Sequence, residues 1–249
     1  MTTIQKIVPS ADIHILILDH MNLASVVAAA KEFASKSSEL HGLINNAGIM
    51  AVPFEMTKDG YESQWQTNYL AHWLLTHHLL PTILATARSS ALGDVRIVNV
   101  TSNGHNFAPK GGIDLEDINQ VKGGGWSRYG QSKLGNILHT KYLNSLYGPK
   151  GTKKTEGEVW SMAVHPGAIY TDLSKNAQFL GLASKMVGPV LNFLGVFIPA
   201  DQGAYTTVFC TTSQDIKAAM SGEYFAPIAK VGKPSKFAKD EKLASSLWE

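Results

Sequence analysis

Short β-favouring runs alternating steadily with helical stretches constrain this chain more than any other feature. Residues 12 to 19, Asp-Ile-His-Ile-Leu-Ile-Leu-Asp, have almost no polar interruption, as expected of a strand buried on both faces of a parallel sheet. From Asn22 as N-cap, apolar residues at Leu23, Val26, Val27, Ala30 and Phe33 follow the spacing of an amphipathic helix. A second strand is expected at residues 42 to 45. A long helical region follows at about 62 to 87, where Pro81 should break or kink it. Residues 94 to 100 read as another strand. A helix carries Leu134, Ile137, Leu138, Lys141, Tyr142 and Leu146, and a further strand spans 158 to 164. This alternation predicts the doubly wound α/β class, a parallel sheet with helices on both faces.

With 249 residues, 44% of them hydrophobic and 17% charged, the chain can bury a full core, and one domain over 1–249 is the expectation. Lys+Arg 22 against Asp+Glu 20 leaves a formal charge of +2, far from the clustered positive charge that nucleic-acid binding needs. The single cysteine, Cys210, allows neither an internal disulfide nor a structural zinc site. The start lacks a secretory signal, so a reducing, cytoplasmic setting is expected. Residues 186 to 200 form the longest uncharged apolar stretch, 15 residues interrupted by Gly188, Pro189 and Asn192. A spanning helix needs ~20 residues, so this stretch reads as buried or interfacial. Residues 230 to 249, with Lys230, Lys233, Lys236, Lys239 and Lys242, read as a solvated, partly disordered tail. His72, His77 and His78 lack metal-site spacing, and no metal is expected. Asn99-Val-Thr101 matches a glycosylation acceptor but falls inside an expected buried strand.

Three strand ends carry candidate chemistry. Tyr129-Gly-Gln-Ser-Lys133 puts a phenol and an ammonium four residues apart on one helix face, where the cation would lower the phenol pKa and suit it to proton transfer. Taken alone, that pair also reads as an exposed helix pair. Ser102 closes the strand through Val100 at the edge where open α/β folds bind ligands, and it reads equally as a cap or turn residue. Asn45-Asn-Ala-Gly48 ends a second strand in small residues that allow close backbone approach, or make a simple turn. His165-Pro-Gly-Ala-Ile-Tyr-Thr171 forces a sharp exit from a third.

Together these residues resemble the short-chain dehydrogenase/reductase family, in its order: Asn45-Asn-Ala-Gly48, Asn68, Ser102, Tyr129 with Lys133, and Pro166-Gly167. The 27-residue separation of Ser102 from Tyr129 is similar to the retinol-dehydrogenase-like branch. So are Thr57-Lys-Asp-Gly60, Asn68-Tyr-Leu-Ala-His-Trp-Leu-Leu-Thr76, Ser132-Lys-Leu-Gly-Asn-Ile-Leu138 and Gly222-Glu-Tyr-Phe225. The resemblance implies hydride transfer between a nicotinamide cofactor, NADP with NAD not excluded, and a carbonyl or alcohol carbon. Tyr129 would donate or accept the proton. Lys133 would hold the nicotinamide ribose, Ser102 the substrate oxygen, and Asn68 a water in a proton relay. Asp19 would contact the adenine edge, Asn46 the adjoining ribose, and Ile169 and Thr171 the carboxamide and phosphates. The substrate would be a small apolar or polycyclic molecule, retinoid-like or from secondary metabolism, with residues 179 to 200 as a hydrophobic lid or an ordinary core helix. The family commonly pairs through helices that here include 62 to 87 and 129 to 147, which allows a homodimer. Contact with a membrane surface is left open.

One family element is missing from this sequence: the first strand and its Thr-Gly-x-x-x-Gly-x-Gly turn, which bind the pyrophosphate. Aligned on Asp19, the sequence starts near the family's third strand, so the Rossmann-like fold is expected in an N-terminally truncated form. Residues 12 to 19 could then shift to pair with residues 42 to 45, or leave an edge open for a partner strand. The chain could also be part of a longer polypeptide. Two further readings stand beside the oxidoreductase: an inactive, partner-binding subunit and a redox-neutral isomerase or lyase.

Overall fold

The computed structural model describes residues 3–169 and 198–249. Five strands form one sheet in the order β1 (Gly42–Asn45), β2 (Arg96–Val100), β3 (Trp160–Val164), β4 (Tyr224–Ala226) and β5 (Lys230–Val231). The first four run parallel, with Asn45 opposite Asn99 and Val100 opposite Val164, and β5 returns antiparallel. Every residue of β2 and β3 is buried, Arg96, Asn99 and Ser161 included, because both faces of these strands are covered. The period of two along β2 separates two faces. Ile97 joins Leu79, Ile83 and Leu143 in one core, while Val98 joins Met162, Cys210 and Phe225 in another. The sheet is thus a Rossmann-like α/β layer with helices on both faces. Among the described residues no helix is long and apolar enough to cross a membrane.

The helices are α1 (Thr3–Ile7), α2 (Leu23–Lys36), α3 (Ser63–Trp65), α4 (Ala71–Ser89), α5 (Gly125–Tyr147), α6 (Tyr205–Thr212) and α7 (Glu241–Trp248), besides short single turns. Asn22 flanks α2 without a side-chain cap bond; the Asp59 carboxylate accepts from the Leu23 amide instead, at 2.9 Å. A π-helical turn, Gln66–Leu70, separates α3 from α4. Helix α4 runs through Pro81, contrary to the expected break. Pro in a helix interior costs ~3 kcal/mol, while a buried Leu or Ile returns ~1.5–3 kcal/mol, and Leu79, Leu80, Ile83 and Leu84, on either side of the exposed Pro81, lie in the core.

Two expectations fail for tertiary reasons. Residues 12 to 19 form no strand, because no neighbouring strand pairs with them among the described residues; Ile15 and Ile17 stand 83% and 84% exposed. On its open side β1 pairs with no strand among the described residues. Residues 230 to 249 are not a loose tail. Asp240 caps α7 by accepting from the Leu243 amide at 3.0 Å, and the Trp248 ring lies 4.9 Å from Tyr142 and 5.7 Å from Trp73. That docking covers the α4 and α5 surface with Leu243, Ala244 and Leu247. Most of the expected lid, and Thr171 with it, lies outside the described residues.

Candidate active site

The carboxyl ends of β1, β2 and β3 meet over the first turns of α5. The Thr101 amide donates to the Val164 carbonyl at 2.8 Å, and its hydroxyl donates to the Lys133 carbonyl at 2.6 Å, which pins α5 to the sheet edge. Beneath this edge a buried polar line crosses the layer. Asn45 donates to Asn99 Oδ1 at 2.8 Å and to Thr76 at 3.0 Å, Asn99 donates to Thr140 at 2.9 Å, and Asn136 donates to the Val100 carbonyl at 3.1 Å. Asn99 is fully buried, facing the helices in mid-strand. Its amide serves this network, which the glycosylation-like pattern around it did not suggest.

Tyr129 is 2% exposed and hydrogen-bonded to Ser102. Burial raises its pKa, partly countered by that bond, so the expected depression by Lys133 is not what dominates here. Lys133 Nζ sits 5.9 Å from the phenol ring centroid and donates to the Val100 carbonyl at 3.1 Å. Ser102 caps the 3-10 turn Asn103–Phe107, its Oγ accepting from the Gly104 amide at 3.0 Å. A Cβ on Gly104 would lie 2.6 Å from the Tyr129 ring, so only glycine lets phenol and serine meet. His105 Nδ1 lies 2.7 Å from the Ser102 carbonyl, and its Nε2 accepts from the Ser235 amide at 3.0 Å. The 233–238 segment is thereby tied to the site.

Asn68 lies in the π-helical turn and is fully buried. Its Oδ1 accepts from the Ile49 amide at 2.8 Å; its Nδ2 donates to the Ile49 carbonyl and to Ser132 Oγ, both at 2.9 Å. The side chain therefore clamps the Asn45-Asn-Ala-Gly48 turn to α5. A Cβ on Gly48 would stand 3.1 Å from Asn68 Oδ1 and 3.2 Å from Lys133 Nζ, so glycine keeps a narrow cradle at the lysine.

The other residues named from the sequence lie further out. Asp19 is exposed and caps its own turn, its carboxylate accepting from the Met21 amide at 2.9 Å. Asn46 is exposed at the end of β1. Ile169 bridges to Ile198 beside the β3 exit. The structure brings Ser102, Tyr129, Lys133 and Asn68 together and leaves Asp19 and Asn46 at the rim. Sequence reasoning missed Glu62 and Arg128, a buried ion pair 3.3 Å apart at the entrance to α5. An acid at the expected helix start, about residue 62, was its only signal.

A nicotinamide dinucleotide is what these residues fit best at one end. Lys133, Tyr129 and the Gly48 cradle suit the nicotinamide ribose. Among the described residues no strand leads through a Thr-Gly-x-x-x-Gly-x-Gly turn into a helix, so the described site supplies the nicotinamide half of the cradle.

A Rossmann-like sheet with a phenol, a hydroxyl and a buried ammonium at its carboxyl edge defines the class of nucleotide-dependent oxidoreductases. The sequence profile of the short chain dehydrogenase family matches residues 1–113. The chain is 52% identical over 249 residues to the short-chain dehydrogenase/reductase drtF of Aspergillus calidoustus, covering 99% of this chain and 78% of the relative. It is 33% identical to retinol dehydrogenase 12 of Mus musculus, covering 93% of this chain and 66% of that protein. A crystal structure of NADPH-bound carbonyl reductase from chicken fatty liver shares the fold with a TM-score of 0.61 at 22% identity, over 92% of this chain and 81% of that one. The chain belongs to the short-chain dehydrogenase/reductase family, as a retinol-dehydrogenase-like member.

Burial pushes the Lys133 ammonium down from 10.5 to about 8. The folded state therefore loses this proton earlier than the unfolded state as pH rises. Between about 8 and 10.5 the unfolded chain binds more protons, so this group makes stability increase with pH across that window. Lys133→Met lacks the buried charge. Its urea midpoint is expected above that of the parent at pH 7.5, with the gap closing as pH rises; a gap independent of pH contradicts the assignment.

Proposed function

We propose that this chain is an NADP-dependent oxidoreductase that interconverts a ketone or aldehyde and its alcohol on a small apolar or polycyclic molecule. The convergence of Tyr129, Ser102, Lys133 and Asn68 at one sheet edge carries this reading. When bound, the nicotinamide supplies or takes up the hydride. Ser102 orients the substrate oxygen, and Tyr129 gives or takes its proton. Lys133 holds the ribose and, as a cation near the phenol, favours the phenolate that remains after proton donation. Asn68 fixes the turn against which the ribose would lie. Preference for NADP draws support from the NADPH-bound carbonyl reductase of like fold, and an apolar substrate from the retinol dehydrogenase relative. A place in secondary metabolism and a cytoplasmic setting belong to the same proposal, as do one domain over the whole chain and a homodimer.

The open edge of β1 and the exposed Ile15 and Ile17 support a second reading, an inactive subunit that docks on a partner with its site retained. Fluorescence titration of the purified 249-residue chain with NADPH and NADH separates the two, with circular dichroism confirming the fold. Saturable micromolar binding of NADPH, tighter than of NADH, is the expected result. Folded protein that binds neither overturns the oxidoreductase reading in favour of the subunit.

A further inference from the structure

We propose that His105 positions Ser102 and makes that placement depend on the docking of residues 233 to 249; the inference rests on reading Ser102 as the group that holds the substrate oxygen. Ser102 opens the 3-10 turn Asn103–Phe107. Short turns of this kind hold poorly by themselves. At its ends the His105 amide donates to the Ser102 carbonyl at 3.1 Å and the Ala108 amide to the His105 carbonyl at 3.3 Å. The His105 side chain adds a closer contact, Nδ1 at 2.7 Å from the same Ser102 carbonyl.

The imidazole is 1% exposed and uses both of its nitrogens. The Ser102 carbonyl only accepts, so Nδ1 carries the hydrogen. The Ser235 amide, 3.0 Å from Nε2, only donates, so Nε2 keeps its lone pair. Of the forms an imidazole can take, neutral Nδ1–H alone satisfies both neighbours. Burial, partly countered by the Ser102 carbonyl, lowers the His105 pKa and favours that neutral form. The Tyr224 ring of β4 meets the imidazole edge-on at 5.4 Å and fixes its plane.

Ser235 lies 130 residues further along the chain, in the segment that leads to α7. Its hydroxyl accepts from the Ala238 amide at 3.4 Å. The same segment packs closely on the loop beyond Ser102, where a Cβ on Gly112 would lie 3.0 Å from Phe237 and from Leu243. The consequence falls on the chemistry. Ser102 Oγ accepts from the Gly104 amide at 3.0 Å and is hydrogen-bonded to Tyr129, so a loosened turn shifts the hydroxyl against the phenol. A misplacement of about 1 Å at a reacting centre can cost about 100-fold in rate. His105 acts through Ser102, and the 233–249 segment acts through His105.

NMR on the full chain tests this without turnover. Long-range proton–nitrogen correlation with 15N-labelled histidine is expected to show His105 protonated on Nδ1 alone; protonation on Nε2 overturns the proposal. Solvent exchange of the Gly104 amide reports its bond to Ser102 Oγ. Ser235→Pro removes the donor to Nε2 and is expected to speed that exchange roughly tenfold, the factor for one hydrogen bond of about 1.4 kcal/mol. His105→Asn keeps a donor for the Ser102 carbonyl but falls short of the Ser235 amide, so it should match Ser235→Pro, and the double variant should add nothing further. Unchanged Gly104 exchange in either single variant, or effects that add in the double variant, overturns the proposal. In ketone reduction both variants should lose kcat by a similar factor with KM little changed. A folded variant with the parent kcat reduces His105 to a structural role and overturns the proposal too. A parent chain that transfers no hydride sinks the proposed function instead, and Gly104 exchange still decides the role of His105.

Discussion

Tyr129→Phe is expected to leave the chain folded and to lower carbonyl reduction at least about 100-fold, the low end of what a positioned general acid contributes. The ring stays, so its close contact with Gly104 and its T-shaped contact with Trp126 at 5.9 Å are kept. Only the hydroxyl is lost, and with it the bond to Ser102 and the proton for the substrate oxygen. NADPH affinity should fall far less than turnover, because Lys133 and the Gly48 cradle are untouched. NADPH consumption with a ketone substrate, alongside circular dichroism, reads the effect. Turnover equal to that of the parent chain would remove Tyr129 from the chemistry.

Arg128→Met is expected to destabilise the chain by about 3–5 kcal/mol, the cost of leaving one member of a buried ion pair alone. Glu62 is fully buried, and it caps α3 by accepting from the Trp65 amide at 2.8 Å. Arg128 faces it at 3.3 Å, lies over the Phe54 ring at 5.3 Å and donates to the Gly123 carbonyl. Burial already raises the Glu62 carboxyl above 4.5 despite these donors and the arginine. Because the folded pKa is raised, the folded state binds this proton more tightly, and the group makes stability fall as pH rises through that window. Removing Arg128 raises the carboxyl further, so the loss in Arg128→Met should shrink under acid and be largest near neutrality. Urea midpoints at several pH values measure it, and pairing with Glu62→Gln should recover most of the loss. A midpoint unchanged by Arg128→Met would show the pair contributes nothing.

The sheet and its site were legible to different depths. The runs at 42 to 45, 94 to 100 and 158 to 164 became β1, β2 and β3 because each is short, rich in β-favouring apolar residues and finds a neighbour in the sheet. Residues 12 to 19 carry the same signal and form no strand, since a strand depends on a neighbour that periodicity cannot supply. Tyr224–Ala226 and Lys230–Val231 are too short to register as periodic runs and exist through pairing with β3 and with each other. Helix α7 was hidden by the lysines around it, although Leu243, Ala244, Leu247 and Trp248 have the spacing of one helix face. At the site, the spacing of Tyr129 and Lys133 and the strand-end Ser102 were readable. The buried line of Asn45, Asn99, Asn136 and Thr140 was not, because polar residues inside strands and helices reveal their partners only once the layers meet.

Transfer of deuterium from NADPH labelled at the reactive carbon to a ketone product tests the central claim most directly. Mass spectrometry of the product from the purified chain should show one deuterium per turnover, with none from Tyr129→Phe beyond the uncatalysed background. Product formed without the label, or labelled equally by parent and variant, would contradict hydride transfer at the Ser102, Tyr129 and Lys133 site.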